Sequence, residues 1–415
     1  MRARGRHAAG IQLAWVALVV ILVMTTWFSM TAVVPTLRSE WGLGRTAAAW
    51  LTMSVQLGFV VGSLGSAVLN LADRVPSRAL ISLAALACAV LTAAVTMTDG
   101  VLTAVILRFL TGMALACVYP PALFVVVGWF STGRGLAVGI MIGALTLGSA
   151  LPHLMVGAAL PWREVLLLAS GCALLGAVLA ALLVRDRPGH AVRPRFRPGY
   201  AASLLRPGLP RLAILGYVGH MWELYAMWTW LPSYVLASNL ASDGHGAPVA
   251  LTTFAAIGLA GLAGCLIAGR LGDTWGRERL AAAAMLVSGI SCLLAAGVFG
   301  LHPVLVVPVL LVWGMSVIAD SGLFSASLSE VVDVAYTGTA LTLQTSAGYL
   351  VTTLSIQLTG LLSDHAGWRV AVAILAIGPF LGLIAMLRLS ALRHGRALEP
   401  PPATGWPGRA ARRTV

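Results

Sequence analysis

Gly269–Arg279 reads GRLGDTWGRER, and Asn70–Arg78 reads NLADRVPSR. Each is a charged turn between two long apolar runs. Asp73 and Asp273 occupy the same point of the two copies, half a chain apart. An Asp-x₃₋₄-Arg turn repeated at that spacing predicts two related halves. Gly269, Gly272 and Gly276 suit a tight turn and close helix approach. Arg74, Arg78, Arg270, Arg277 and Arg279 suit a cytoplasmic loop. The part expected of Asp73 and Asp273 is conformational, since an acid near a helix start favours the positive end of its dipole.

Outward from these turns the chain is apolar. Of its 415 residues, 59% are hydrophobic and 10% are charged. Soluble domains carry about 25% charged residues, so this chain has too few to coat a water-facing surface. An integral membrane protein follows. The formal net charge of +13 does not point to nucleic acid, because the charges lie in short segments between apolar runs. The five cysteines fall inside apolar runs without a CxxC, which excludes a disulfide framework and a metal site. No cofactor is expected.

A spanning helix needs about 20 apolar residues. Twelve runs qualify, near 11–34, 47–71, 79–98, 101–127, 134–158, 163–184, 212–236, 249–271, 280–300, 303–329, 337–362 and 367–390. Strands are excluded, because a sheet edge in lipid leaves backbone groups unpaired. Ile11–Val34 is too long for a signal-peptide core and is expected to stay as the first span. Pro35 and Pro232 are expected to close the first and seventh helices. All 27 basic residues are Arg. Four of them (Arg38, Arg45, Arg163 and Arg369) fall on one side and Arg108 within a span. The rest share the side of both termini, which is therefore expected to be cytoplasmic, in an inner membrane. The expected division is a first bundle over 1–186, a basic Pro-rich linker over 187–211, a second bundle over 212–392 and a disordered tail over 393–415. Matched pairs near the same offset support the duplication: Pro161-Trp162-Arg163 with Gly367-Trp368-Arg369, and Gly112-Met113-Ala114 with Gly314-Met315-Ser316.

Ionisable groups in lipid are costly, which makes each a functional candidate. In the seventh run, GYVGHMWELYAMWTWLPSYV, Glu223 lies near mid-membrane and His220 shares its face. Tyr217, Trp222 and Trp228 surround them. The reading is a cavity wall in which Glu223 takes up a proton while aromatic faces grip a solute; the competing reading is an interfacial aromatic belt and a Glu paired with a neighbouring helix. Arg108, within the fourth run, has the bland reading of a structural cation on carbonyls of the first helix. Asp320 is expected to latch the 270–279 loop, with proton coupling as its alternative. Glu330 and Asp333 are expected to pair with loop Arg residues as a gate. Gln56, Gln344, Tyr349 and Gln357 are candidate hydrogen-bonding cavity residues.

The 269–279 stretch resembles the loop between the second and third helices of major facilitator superfamily transporters, G-x-x-x-D-R/T-x-G-R-x-R/K. Arg108 with Gly112 matches that family's Arg-x-x-x-Gly pattern, and the resemblance implies a role for Arg108 in proton or anion handling. The resemblance implies twelve helices in two pseudo-symmetric six-helix bundles that rock around a central site. Of the family's antiporter signature, G-x-x-x-G-P-x-x-G-G, only half is present, with Ala144 and Leu147 at two of its positions. Gly128–Ile140, GWFSTGRGLAVGI, looks more like monocarboxylate and oxalate-type members. The expected function is proton-coupled uptake of a small organic acid by a monomer in the bilayer. The alternatives are a proton-coupled exporter of amphipathic cations, a transporter-like sensor and an integral membrane enzyme. A nucleotide-driven pump is disfavoured for want of a GxxxxGK[ST] loop. An enzyme is disfavoured because the eight His residues are scattered without an HExxH.

Overall fold

The structure, a computed structural model, describes residues 2–69, 71–130, 132–186, 198–238, 246–333 and 336–398. The side chains of Asp73 and Asp273 lie outside the described residues, as do most of the expected linker (187–197) and tail (399–415). In hydrocarbon every backbone N–H and C=O must be satisfied within the chain, and a helix does this span by span. The described residues are accordingly helices and turns with no strand among them.

Among the described residues twelve helical spans follow one another. They are α1 (Arg2–Glu40), α2 (Arg45–Val68), α3 (Ser77–Val95), α4 (Val101–Leu115 and Tyr119–Trp129), α5 (Arg134–Gly157) and α6 (Trp162–Leu183). Then come α7 (Leu209–Ala237), α8 (Gly246–Phe254, Ala255–Ala260 and Gly261–Trp275), α9 (Arg277–Val298) and α10 (Pro303–Ala319 and Ser321–Val331). The last two are α11 (Thr337–His365) and α12 (Trp368–Ala373, Ile374–Ala376 and Ile377–Leu398). Ten are both long and apolar enough to cross a bilayer. The other two, α7 and α11, are each 29 residues long but more polar. They carry most of the predicted cavity residues; Gln56 lies on α2 and Arg108 on α4.

Several expected boundaries are corrected. Pro35 and Pro232 sit inside α1 and α7 rather than closing them. Their lost backbone bonds are tolerable where neighbouring helices protect the freed carbonyls. The first helix extends past 11–34 at both ends, and α12 runs on to Leu398, beyond the expected limit of 392. Within the expected linker, Pro198–Leu204 forms a short helix.

The duplication is visible in packing. A Cβ on Gly112 would stand 2.0 Å from Val55 O, and one on Gly314 would stand 2.0 Å from Ala256 O. Likewise Gly62 lies against Met113 O and Gly264 against Met315 O. The α2–α4 crossing of the first half is thus repeated by α8–α10 in the second. The offset between copies is 201 at Val55 and Ala256 but 202 at Gly62 and Gly264. The extra residue falls in the π-helical turn Ala255–Ala260, and a π turn is a one-residue insertion in an α-helix. The halves meet along α5–α8 and α2–α11. At the first of these seams Gly139 lies against Cys265 O and Gly269 Cα.

Candidate functional site

Two helix pairs bring rings to the seam at mid-depth. Trp27 and Phe28 come from α1, Phe59 from α2, Tyr225 and Trp228 from α7, and Tyr349 from α11. Trp27 lies 5.1 Å from Phe59, 5.9 Å from Tyr225 and 5.8 Å from Tyr349, centroid to centroid. Phe28 is 5.8 Å from Tyr225 and 5.5 Å from Trp228. The hydroxyls of Tyr225 and Tyr349 are 2.8 Å apart. These rings close the gap between halves at that depth. On the side of both termini, a cavity of about 430 Å³ opens between α4, α5, α8 and α10, with Arg134, Arg277 and Glu330 at its mouth and Cys265 among its deeper walls.

The ring layer holds polar atoms without a protein partner: Trp27 Nε1, Trp228 Nε1, and both Nε2 and Oε1 of Gln56, all buried. Gln56 shares a stripe of α2 with Thr52 and Phe59. Thr52 is bonded to Thr31 of α1 at 2.8 Å and Phe59 packs on Trp27, so Gln56 falls beside Trp27. A buried donor left unpaired costs about 1–3 kcal/mol. Their gathering at one depth makes this layer a candidate binding site.

Behind the ring layer Arg108 is buried in the first half and Glu223 in the second. Arg108, 0% exposed, donates from one guanidinium nitrogen to Thr26 O at 2.7 Å and from the other to Trp27 O, while its Nε has no partner. The structural alternative for Arg108, a cation on carbonyls of α1, is the arrangement seen. Glu223, 1% exposed, turns into its own half rather than toward the seam. Its Oε1 accepts from Ser288 Oγ at 2.8 Å, Cys292 Sγ at 2.8 Å and Trp313 Nε1 at 2.5 Å. Thr26 and Glu223 are related by the same shift of 197 as Pro35 and Pro232. The repeat therefore places a cation and an anion at matching junctions of the two bundles.

Asp320 corrects an expectation. It does not latch the 270–279 loop. It sits at the break in α10, 2% exposed, with Oδ1 2.8 Å from His220 Nδ1. His220 Nε2, on the other side of the ring, has no hydrogen-bond partner. The corresponding break in α4 precedes Pro120 and Pro121, which lack an N–H and begin a helix readily. The break at Asp320 has no proline.

The remaining candidates scatter. Trp222 faces outward instead of into the cavity, half-buried, with its indole N–H on Ile374 O at 3.3 Å. Tyr217 packs on Phe324 and Gly348 inside the second half. Gln344 accepts from Ser325 Oγ at 3.4 Å, with Nε2 unpaired. Gln357 is half-buried. Trp230 and Tyr234 form no lipid-facing belt: they are buried and bonded to Ile356 O and Ala295 O. Glu330 pairs with Arg277 as expected of a loop Arg, and Arg393 joins them by bonding both Glu330 and Glu278. All four belong to α9, α10 and α12, so the cluster braces one half. Asp333 is exposed, and its carbonyl caps Tyr336 N–H at 2.9 Å. Arg74, Arg78 and Arg279 are exposed, and the Arg78 amide points to Asp186 Oδ2 at 3.4 Å. Gly269 serves the α5–α8 crossing; the turn itself is made at Gly276, at φ +85°. Sequence reasoning missed Trp27, Phe28, Phe59, Trp313, Cys292 and Arg393. In an apolar run an aromatic or a Cys carries no distinguishing signal. Arg393 was assigned to the tail.

Comparison with known proteins adds three findings. The sequence model of the Major Facilitator Superfamily matches residues 16–356. A "Probable sulfoacetate transporter SauU" of Cupriavidus necator is 28% identical over 218 residues. That alignment covers 46% of this chain and 49% of the relative, so the match spans about half of each. The solved structure of the proton:xylose symporter XylE bound to 6-bromo-6-deoxy-D-glucose shares the fold, with a TM-score of 0.72 at 14% identity. It covers 94% of this chain and 99% of that one.

Proposed function

The chain belongs to the major facilitator superfamily, and from that membership we propose that it takes up a small organic acid together with protons, by alternating access. One observation carries the choice of an acid: Trp27 Nε1, Trp228 Nε1 and Gln56 Nε2 present buried N–H donors in the ring layer with no protein acceptor. A carboxylate or sulfonate supplies acceptor oxygens for such donors. Arg108, directly behind Trp27, adds positive potential at the same depth. The relative's printed substrate, sulfoacetate, is also a small organic anion. Glu223, turned away from the seam, cannot act as the counter-ion of a cationic drug there; in this reading it and the Asp320–His220 pair hold the coupling proton. In this reading the basic end is the cytoplasmic one, which the Arg distribution supports, and the α9–α10–α12 charge cluster steadies that mouth as it gates. In this reading the two moving bodies are the bundles α1–α6 and α7–α12.

The deciding experiment is flux into proteoliposomes with an alkaline interior, using radiolabelled short carboxylates and sulfonates. Accumulation that collapses with a protonophore supports the reading. Transport of lipophilic cations, with none of any acid, replaces it by the exporter.

A further inference from the structure

Trp222 points to a second site on the outside of the second bundle. A groove of about 410 Å³ runs between α7 and α12, walled almost wholly by apolar atoms. Its floor is the crossing of Gly219 with Gly378, where a Cβ on Gly219 would lie 2.4 Å from Gly378 O. Trp222 closes its inner end. From Ile377 to Arg388 the groove follows α12 for eleven helical steps, about 16 Å at 1.5 Å each. That is roughly the hydrocarbon depth of a single leaflet, half of a core about 30 Å thick.

Charge marks the other end. On α12 the lining stripe is Ile377, Leu381, Ile384 and Arg388. On α7 it is Trp222, Val218 and Leu215, and one turn earlier on the same face stands Arg211. The antiparallel register set by Gly219 with Gly378 and by Gly216 with Gly382 places Arg388 level with the first turn of α7, beside Arg211. Both Arg residues are exposed. Neither has a carboxylate partner among the described residues, whereas Arg393, one turn from Arg388, is paired twice.

We infer that this groove binds an anionic phospholipid from the leaflet on the side of the termini. One acyl chain lies along the glycine floor up to Trp222, and the phosphate sits between Arg211 and Arg388. Apolar walls alone would accept any lipid; two unpaired guanidinium groups at headgroup level select the anionic one.

The test uses the full chain in mixed phosphatidylglycerol–phosphatidylcholine vesicles in which one lipid or the other, at equal mole fraction, carries brominated acyl chains that quench indole fluorescence. The expected result is about a tenfold preference for the brominated phosphatidylglycerol at the quenched site. Trp222→Phe should remove that component, which separates it from the other twelve of the 13 Trp residues. Arg211→Gln with Arg388→Gln should leave quenching in place but erase the preference; both positions are exposed, so the fold tolerates the change. Equal quenching by the two lipids in the unmodified chain overturns the proposal. So does a preference that survives the double substitution, or quenching undiminished in Trp222→Phe.

Discussion

Glu223 concentrates the chemistry of single residues in this protein. Three donors from α9 and α10 converge on one of its oxygens, so its side chain ties three helices together as well as offering a proton site. The two roles separate by substitution. In Glu223→Gln the amide oxygen still accepts from Ser288, Cys292 and Trp313, but the side chain no longer titrates. The melting temperature should move by only a few degrees, and solute exchange should persist while accumulation driven by a pH gradient disappears. Glu223→Ala instead strands three buried donors at about 1–3 kcal/mol each, and a large fall in melting temperature is expected. Loss of exchange in a well-folded Glu223→Gln protein would place this residue at the solute and remove it from coupling.

At the scale of elements, helix crossings and helix interruptions set the architecture. The α2–α4 and α8–α10 crossings depend on glycine because backbone meets backbone. Gly112→Val forces a side chain into Val55 O, and a drop of 10 °C or more in melting temperature, or loss of folded yield, is expected. Gly65 of α2 has nothing within 4 Å of an added Cβ, so Gly65→Ala should be silent or slightly stabilising. The π turn in α8 is a sharper case. Deleting Leu259, an exposed residue of that turn, removes the inserted residue and lets α8 run as a regular helix. The pairings Ala256–Gly314 and Gly264–Met315 then match the first half without the offset step. A folded protein with altered transport is expected, as for other π turns at functional sites. An unfolded one would mean that the turn is needed for packing.

At the scale of the whole molecule, the rings at the seam and the cavity on one side describe a chain open toward its basic end. Away from that end α5 and α8 still touch: a Cβ on Gly157 would be 2.7 Å from the Cβ of Ala250. Gly157→Cys with Ala250→Cys should form a disulfide once the helices part by about 1 Å, toward the usual Cβ separation of about 3.8 Å. Oxidation should then stop net transport and reductant restore it, while solute binding from the basic side survives. Transport undisturbed by a verified disulfide would rule out movement at this seam.

Much of this was legible in the residues. The apolar run lengths dictated spans, the paired charged turns and glycine motifs exposed the duplication, and the few ionisable residues inside spans named Arg108, His220, Glu223 and Asp320. What remained undetermined was rotation about each helix axis. In water, polarity tells which face of a helix looks inward. In lipid the outer face is as apolar as the core, so Trp222 and Trp228 look alike in sequence, yet one faces the lipid groove and the other the seam. Partners were equally hidden, because Asp320 meets His220, and Glu223 meets Trp313, across 100 and 90 residues of chain. Composition and periodicity determined that this chain crosses the membrane as two copies of one unit; only packing between helices decided which of its polar atoms face the seam and which were spent holding a bundle together.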